Sequence, residues 1–353
     1  MRPRKIDLST SFATKRGFNI KLRTLLGLIV TTVFLWLVFR QIEIKSVLST
    51  LKQTNVIWVG VAVLLLLADF CVRTFRWLIM LRCFNSALTL KQCITPFWGG
   101  FALNNVLPLR AGDIVRVAAY RDRLQIDRAH IASTLLVERV YDLLALLLAL
   151  LVALLIFPAE TLHEYVKTFV ILPISVATFA ILLILVFPKV LQTPLKLAHH
   201  LISDRPRLLI PIRPIETVIS GLVEINQKGN SASLIISTII AWILEGLAFS
   251  CVLLSLGIEP AIGAGWMTMA ISTLSTLIPS SPGYAGTFDF FAARTLTLIG
   301  LEVSQATLAA LLIHLVVWAP ITLIGSILLW LTHGFGRFNR LKGSVHKNEF
   351  NAK

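Results

Sequence analysis

Charge is scarce in this chain. Only 14% of its 353 residues are Asp, Glu, Lys or Arg, against 56% hydrophobic, and the mean hydropathy is +0.81. Soluble globular domains carry roughly a quarter charged residues, so that class is excluded. Cysteine is scarce too. Cys71, Cys83, Cys93 and Cys251 are scattered in or beside hydrophobic runs, with no C-x-x-C and no histidine at metal-ligand spacing. They read as small buried hydrophobes, so neither a disulfide framework nor a metal site is expected. Enzyme signatures are missing as well. There is no G-x-x-x-x-G-K-S/T, so no ATP drive within the chain, and no H-E-x-x-H or G-x-S-x-G. No cofactor is expected. Alternating ten-residue segments are also missing, which excludes an outer-membrane barrel.

Long apolar runs are present instead. Several reach the roughly 18–20 residues that cross a bilayer core as a helix. Six full spans are expected, near 22–39, 55–72, 131–156, 168–187, 233–256 and 304–331. Two shorter hydrophobic pieces, about 93–107 and 262–278, are rich in Gly, Ser, Thr and Asn, and each ends at a proline. The expected fold is therefore an all-α polytopic membrane protein with about eight hydrophobic segments. The basic start of the chain resembles a signal peptide, but the run after it ends on bulky residues and Arg40, so it reads as an uncleaved first span.

The excess of 33 Lys and Arg over 18 Asp and Glu, a net +15, raises nucleic acid as a partner. Its distribution argues for a membrane instead. Segments 1–23, 73–128, 188–232 and 332–353 hold 27 of these cations, and the intervening loops hold five. Such asymmetry places both termini in the cytoplasm, in a bacterial inner (plasma) membrane. It also makes the two short pieces re-entrant, the first dipping from the cytoplasm and the second from outside. One transmembrane domain then covers 22–331, between a basic tail at 1–21 and another at 332–353. Within it, the stretch 189–232 reads as a basic interfacial connector touching anionic lipid.

Two stretches in these pieces match. "LPLRAGDIVR" (107–116) and "IPSSPGYAGT" (278–287) share a Pro-x-x-x-Gly, Pro108/Gly112 and Pro279/Gly283, after a short hydrophobic piece and before a long span. With the topology above, the halves at about 55–156 and 233–331 are inverted repeats. Broken helices in inverted repeats are a transporter design, and irregular backbone at membrane depth needs a cavity or protein cover. The breaker residues are Pro108, Gly112, Pro279, Ser280, Ser281, Pro282, Gly283, Tyr284, Gly286 and Thr287. An ordinary interfacial turn is the other reading of "PSSPG".

Intramembrane charges mark the remaining candidates. "VERVYD" puts Glu138, Arg139 and Asp142 on one helix face, Glu138 about 10 Å in from the span's start. An unpaired charge there costs roughly 2.5–3.5 kcal/mol. The two acids need a cation, from Arg139 or from Arg110 or Arg116 just upstream, with Asp113 joining. Either this is a polar cavity floor that leaves Arg110 or Arg116 free for a phosphate, or it is a salt-bridge network that fixes the helices. Asp69 has Arg73 at i+4, a local neutralisation. Glu245 lacks a local partner, and it and His314 could face each other or a proton path. Asp289 and Arg294 lie beyond the breaker. His199 and Asp204 have a spacing that acyltransferases use, but stand alone in the connector and read as solvated loop.

The pattern "NNVLPLRAGDIVRVAAY…HIASTLLVERVYDLL", then "LIPSSPGYAGTFDFF", resembles the lysylphosphatidylglycerol synthase transmembrane family, also described as flippase-like domain proteins. The resemblance covers about 20–331. It rests on Asn105, Pro108, Arg110, Gly112, Asp113, Arg116, Glu138, Arg139, Asp142, Pro279, Pro282, Gly283, Gly286 and Thr287. In two-domain members it implies flipping of an aminoacylated phospholipid made by a C-terminal soluble synthase domain. This chain ends soon after its last span, so lysyl transfer is not carried over. Standalone members are linked to other lipids, including hopanoid-type and isoprenoid-linked ones.

The expectation is translocation of an anionic or aminoacylated lipid headgroup, with the lipid as principal partner. Arg110, Asp113, Arg116, Glu138, Arg139, Asp142 and Asn105 would bind it. A separate lipid synthase or glycosyltransferase is a further candidate partner. A membrane enzyme using Glu138 and Asp142 as acid and base, or a scaffold, are the alternatives.

Overall fold

The computed structural model describes residues 54–107, 110–156, 164–186, 212–228, 231–259, 261–278 and 281–350. The expected first span at 22–39, the tail before it, much of the basic connector with His199 and Asp204, and Pro108, Pro279 and Ser280 lie outside them.

Every regular element among the described residues is helical: α1 Val56–Arg82, α2 Leu90–Val106, α3 Ala111–Ala119, α4 Arg121–Leu124, α5 Arg128–Ile156, α6 Glu164–Val186, α7 Ile212–Lys228, α8 Ser231–Ser255, α9 Ala261–Ser275, α10 Thr287–Leu298 and α11 Val303–Phe350. A 3₁₀ turn, Pro282–Tyr284, joins α9 to α10. Among the described residues, three helices are long and apolar enough to cross a membrane by length and composition: Val56–Arg82, Ser231–Ser255 and Val303–Thr332 of α11. Large apolar side chains on them, such as Leu64, Phe75, Ile236 and Leu323, are exposed, as lipid-facing residues are.

The starts of the helices follow local chemistry. Asn55 Oδ1 accepts the Ile57 N–H at 3.0 Å and caps α1. Thr89 caps α2, and Gln92 Oε1 reaches back to the Thr89 N–H at 2.9 Å, the capping-box pairing. α1 runs ten residues past the expected end of the second span at 72. The reason is pairing. Arg73 and Arg76 look like the exit from the membrane, yet both are buried and neutralised by carboxylates from other helices.

α1 packs along α8, and each terminal helix packs against the short helix of the opposite half: α11 on α2, and α5 on α9. Two further contacts follow the same exchange, α2 with α3 matching α9 with α10, and α3 with α5 matching α10 with α11, while α6 and α7 pack on α5 outside it. Small residues permit close approach, as in other membrane bundles. A Cβ at Gly325 on α11 would lie 2.3 Å from the Trp98 carbonyl oxygen, and one at Gly265 on α9 would lie 2.4 Å from Ser250 Oγ. Aromatic rings of Phe70, Trp77, Phe97, Trp98 and Phe101 fill the space between α1 and α2.

Candidate functional site

The two chain breaks converge on one cavity of about 310 Å³, walled by α1, α2, α5, α8, α9, α10, α11 and both breaks. At the first, Arg110 precedes α3 with left-handed backbone, φ 52° and ψ 41°. At the second, Gly283, Tyr284 and Gly286 have φ of 67°, 60° and 88°. Left-handed geometry at Arg110 and Tyr284 is uncommon for such residues and stores strain, which packing must hold. It does so tightly. A Cβ at Gly112 would sit 1.9 Å from the Gly100 carbonyl oxygen, so α3 lies directly on α2. A Cβ at Gly283 would meet Trp318 Nε1 at 2.6 Å.

Arg110 reaches across the cavity. Its Nη2 donates to the Thr276 carbonyl at 3.2 Å and lies 3.3 Å from Thr276 Oγ1, at the end of α9. Its guanidinium lies 5.5 Å from the centre of the Tyr284 ring. Among the described residues no carboxylate lies within ion-pair distance of it, although its charge acts on Asp113 nearby. The adjacent Asn105 donates from Nδ2 to Thr322 Oγ1 at 2.8 Å and lines the same cavity.

Arg116 is placed differently from the expectation that it is free for a phosphate. Its side chain is fully buried, with Nη2 3.2 Å from Glu138 Oε2 and the guanidinium 4.4 Å from the Trp77 ring centre. Glu138 is buried with it, away from the cavity lining. The aromatic slot replaces water, and the carboxylate replaces any phosphate. Asp113 lies 3.7 Å from Arg116 and 3.2 Å from Arg139, and Asn104 Nδ2 donates to it at 3.0 Å. Arg139 is one-third exposed and does line the cavity.

Asp142, which the spacing predicts to share a cation with Glu138, does not do so. It lies instead 2.7 Å from Arg76 and 3.5 Å from Arg73, both on α1. One helical turn separates the two acids, enough to aim them at different neighbours. Arg73 is the hub of this second network. Its Nε donates to both Asp69 oxygens at 2.7 and 2.9 Å, and its Nη2 to Glu245 at 2.6 Å. Asp69 is thus neutralised by Arg73 at i+4, as its spacing suggests, while Arg73 also reaches carboxylates on two other helices. Glu245 faces Arg73 rather than His314. Arg76 Nη1 donates to Thr238 Oγ1 at 2.8 Å, tying α1 to α8.

His314, on α11, engages the second break. Nδ1 lies 2.7 Å from Asp289 Oδ1 and Nε2 2.9 Å from the Gly283 carbonyl oxygen. Asp289 Oδ2 accepts the Gly286 N–H at 2.8 Å. The hydroxyls of Ser281 and Thr287 are turned into this turn, Thr287 donating to the Tyr284 carbonyl at 3.1 Å. Arg294 is exposed on the far part of α10. Arg76, Asn104, Thr276 and Trp318 were not singled out from sequence. Arg76 alone carried a signal there, since 69, 73 and 76 share one helix face.

The described residues hold no group of three or more metal-ligating side chains. Among the described residues, four networks or contacts surround one cavity: Arg116/Glu138/Asp113/Arg139, Arg73/Arg76/Asp69/Asp142/Glu245, His314/Asp289, and Arg110 with no carboxylate at ion-pair distance.

Comparison with known proteins agrees with this membrane architecture. A UPF0104 membrane protein of Methanocaldococcus jannaschii is 23% identical over 235 residues, covering 65% of this chain and 93% of that protein. No solved structure matches. The profile of the lysylphosphatidylglycerol synthase TM region matches residues 24–325, most of the chain, and the protein belongs to that membrane family.

Proposed function

We propose that this protein moves a lipid with an anionic headgroup between the leaflets of the inner membrane, holding the headgroup in the cavity while the acyl chains remain in the bilayer. The observation that carries this reading is Arg110. The other two arginines on the cavity wall, Arg73 and Arg139, each have a carboxylate at 3.2 Å or less. Arg110 has a neutral threonine and an aromatic ring. An arginine with no directly paired acid at membrane depth is matched to a phosphate, which its planar fork engages through two parallel hydrogen bonds.

The surroundings favour a lipid over a soluble anion. Most of the cavity wall is apolar, with Phe101, Leu143 and Val317 among its members. The basic asymmetry of the chain supports cytoplasmic termini, inverted halves and re-entrant short helices. Its basic segments suit contact with anionic lipid, and a separate lipid synthase or glycosyltransferase would supply the substrate. The acid–base enzyme reading is less well served. Glu138 and Asp142 are paired to arginines in separate networks, and Glu138 is off the cavity.

A leaflet assay tests the proposal. Purified protein is placed in liposomes with fluorescent phosphatidylglycerol, and an impermeant quencher reports label in the opposite leaflet. Transfer by the wild type and its loss in folded Arg110→Ala is the expected result. Equal transfer by both, or a lipid product of changed mass, refutes the reading.

A further inference from the structure

We propose that the His314–Asp289 pair is a proton-binding site that latches the second break, and that its proton is linked to occupancy of the cavity. Each nitrogen of the His314 ring meets an oxygen acceptor at hydrogen-bonding distance, 2.7 Å to Asp289 and 2.9 Å to the Gly283 carbonyl. A neutral imidazole has one N–H and one bare nitrogen. Beside an ionised Asp289 it satisfies one of these contacts and sets lone pair against lone pair at the other. One additional proton resolves this. It sits on the ring, or on Asp289 Oδ1 facing Nδ1, and in both placements the pair holds one proton more than neutral histidine with ionised aspartate. The second aspartate oxygen is no escape, because it already accepts the Gly286 N–H.

The proton therefore holds three pieces of the break together: Gly283 through its carbonyl, Gly286 through Asp289, and α11 through His314. Access is available, since the His314 side chain is 17% exposed and lines the cavity. No other charged group competes at ion-pair distance among the described residues. Phe288 of α10 lies against the ring at 4.9 Å. Tyr284 is the titratable neighbour on the turn. The cavity's other charges, Asp69 and Arg73 on α1, Arg139 and Asp142 on α5, and Glu245 on α8, are engaged with one another or with Asp113.

Linkage to the headgroup rests on the reading of Arg110 given above. Gly283 adjoins Tyr284, whose ring faces the Arg110 guanidinium. The turn has no slack, because Gly283 lies against Trp318. Loss of the proton removes one hydrogen bond of the pair; the ring's remaining N–H turns to the ionised Asp289, which frees the Gly283 carbonyl and with it the ring over Arg110. Proton release at one face of the membrane would then change the grip on a phosphate.

Hydrogen exchange of the 281–290 backbone, corrected for intrinsic pH dependence, tests the site without any transport. In the wild type, protection falls about tenfold or more as pH is raised, the worth of one charge-assisted hydrogen bond. Asp289→Asn supplies the donor permanently, its amide facing Nδ1 and its carbonyl facing Gly286. It stays protected at all pH values. His314→Ala is unprotected at all of them, which keeps the test decisive if Asp289→Asn misfolds. Protection that is independent of pH in the wild type overturns the proposal. Leaflet transfer of fluorescent phosphatidylglycerol is then read over the same range. A pH dependence that Asp289→Asn removes supports the linkage, and an equal dependence in both overturns it. A pH-dependent latch in protein that transfers no phosphatidylglycerol supports the proton site and counts against the headgroup reading alone.

Discussion

Glu138→Gln separates a structural ion pair from a substrate contact. The substitution keeps the shape and one acceptor oxygen, so Arg116 Nη2 retains a hydrogen bond. What it removes is the negative charge 3.2 Å from a guanidinium that is fully buried. Removing one partner of a buried pair costs about 3–5 kcal/mol, because the remaining charge is uncompensated. Asp113 remains at 3.7 Å, which sets the expectation at the low end, about 3 kcal/mol or more than a hundredfold in the folding equilibrium. The slot between Trp77, Phe97 and Phe101 then predicts a rescue. Met at 116 fills that slot without charge and suits aromatic neighbours. Arg116→Met with Glu138→Gln should recover most of the loss. The assay is unfolding in detergent, completed as a double-mutant cycle. Stability of Glu138→Gln within about 0.5 kcal/mol of wild type, the usual range for a surface change, would refute the reasoning. So would a double variant less stable than both singles.

Gly112→Ala should destabilise by about 1–3 kcal/mol, since its Cβ meets backbone 1.9 Å away, whereas Gly60→Ala, with nothing within 4 Å, should be neutral or stabilising. Thermal unfolding of the two variants side by side checks this. Arg73→Met removes the ion-pair partner of Asp69 and Glu245 and leaves Asp142 with Arg76, so folded yield should collapse, and adding Glu245→Gln should restore part of it, as gel filtration in detergent would report. Gly283→Ala should disturb the second break more than a helical glycine of equal burial would, because its φ is +67° and Trp318 fills the space; hydrogen exchange of 281–290 reads the loss directly.

The membrane architecture was legible in the hydrophobic runs, because lipid leaves a chain few choices besides the helix. The breaks were legible as Pro and Gly in an apolar setting. The matched stretches drew attention to Arg110 and Tyr284, two of the three non-glycine residues with left-handed backbone among those described. The end of α1 was not legible. Arg73 and Arg76 look like residues entering water until Asp142 and Glu245 arrive from helices far along the chain. The fate of Arg116 was hidden for the same reason. Its sequence neighbours suggest a free cation beside Arg110, and only packing shows the carboxylate and rings that enclose it. Asp289 reads from sequence as lying beyond the breaker, although three residues after Gly286 is a capping position. Spacing along one helix indicates which charges share a face. It does not indicate which face of another helix they meet.

The central claim is that Arg110 receives a lipid phosphate inside the cavity. A phosphatidylglycerol carrying a photoreactive headgroup, crosslinked in the membrane and mapped by peptide mass spectrometry, tests it most directly. The account predicts adducts on the cavity-lining segments around Thr276, Tyr284 and Trp318, and their loss in folded Arg110→Ala. Adducts confined to the lipid-facing surface of α1, α8 and α11, or cavity adducts that persist in Arg110→Ala, would contradict it.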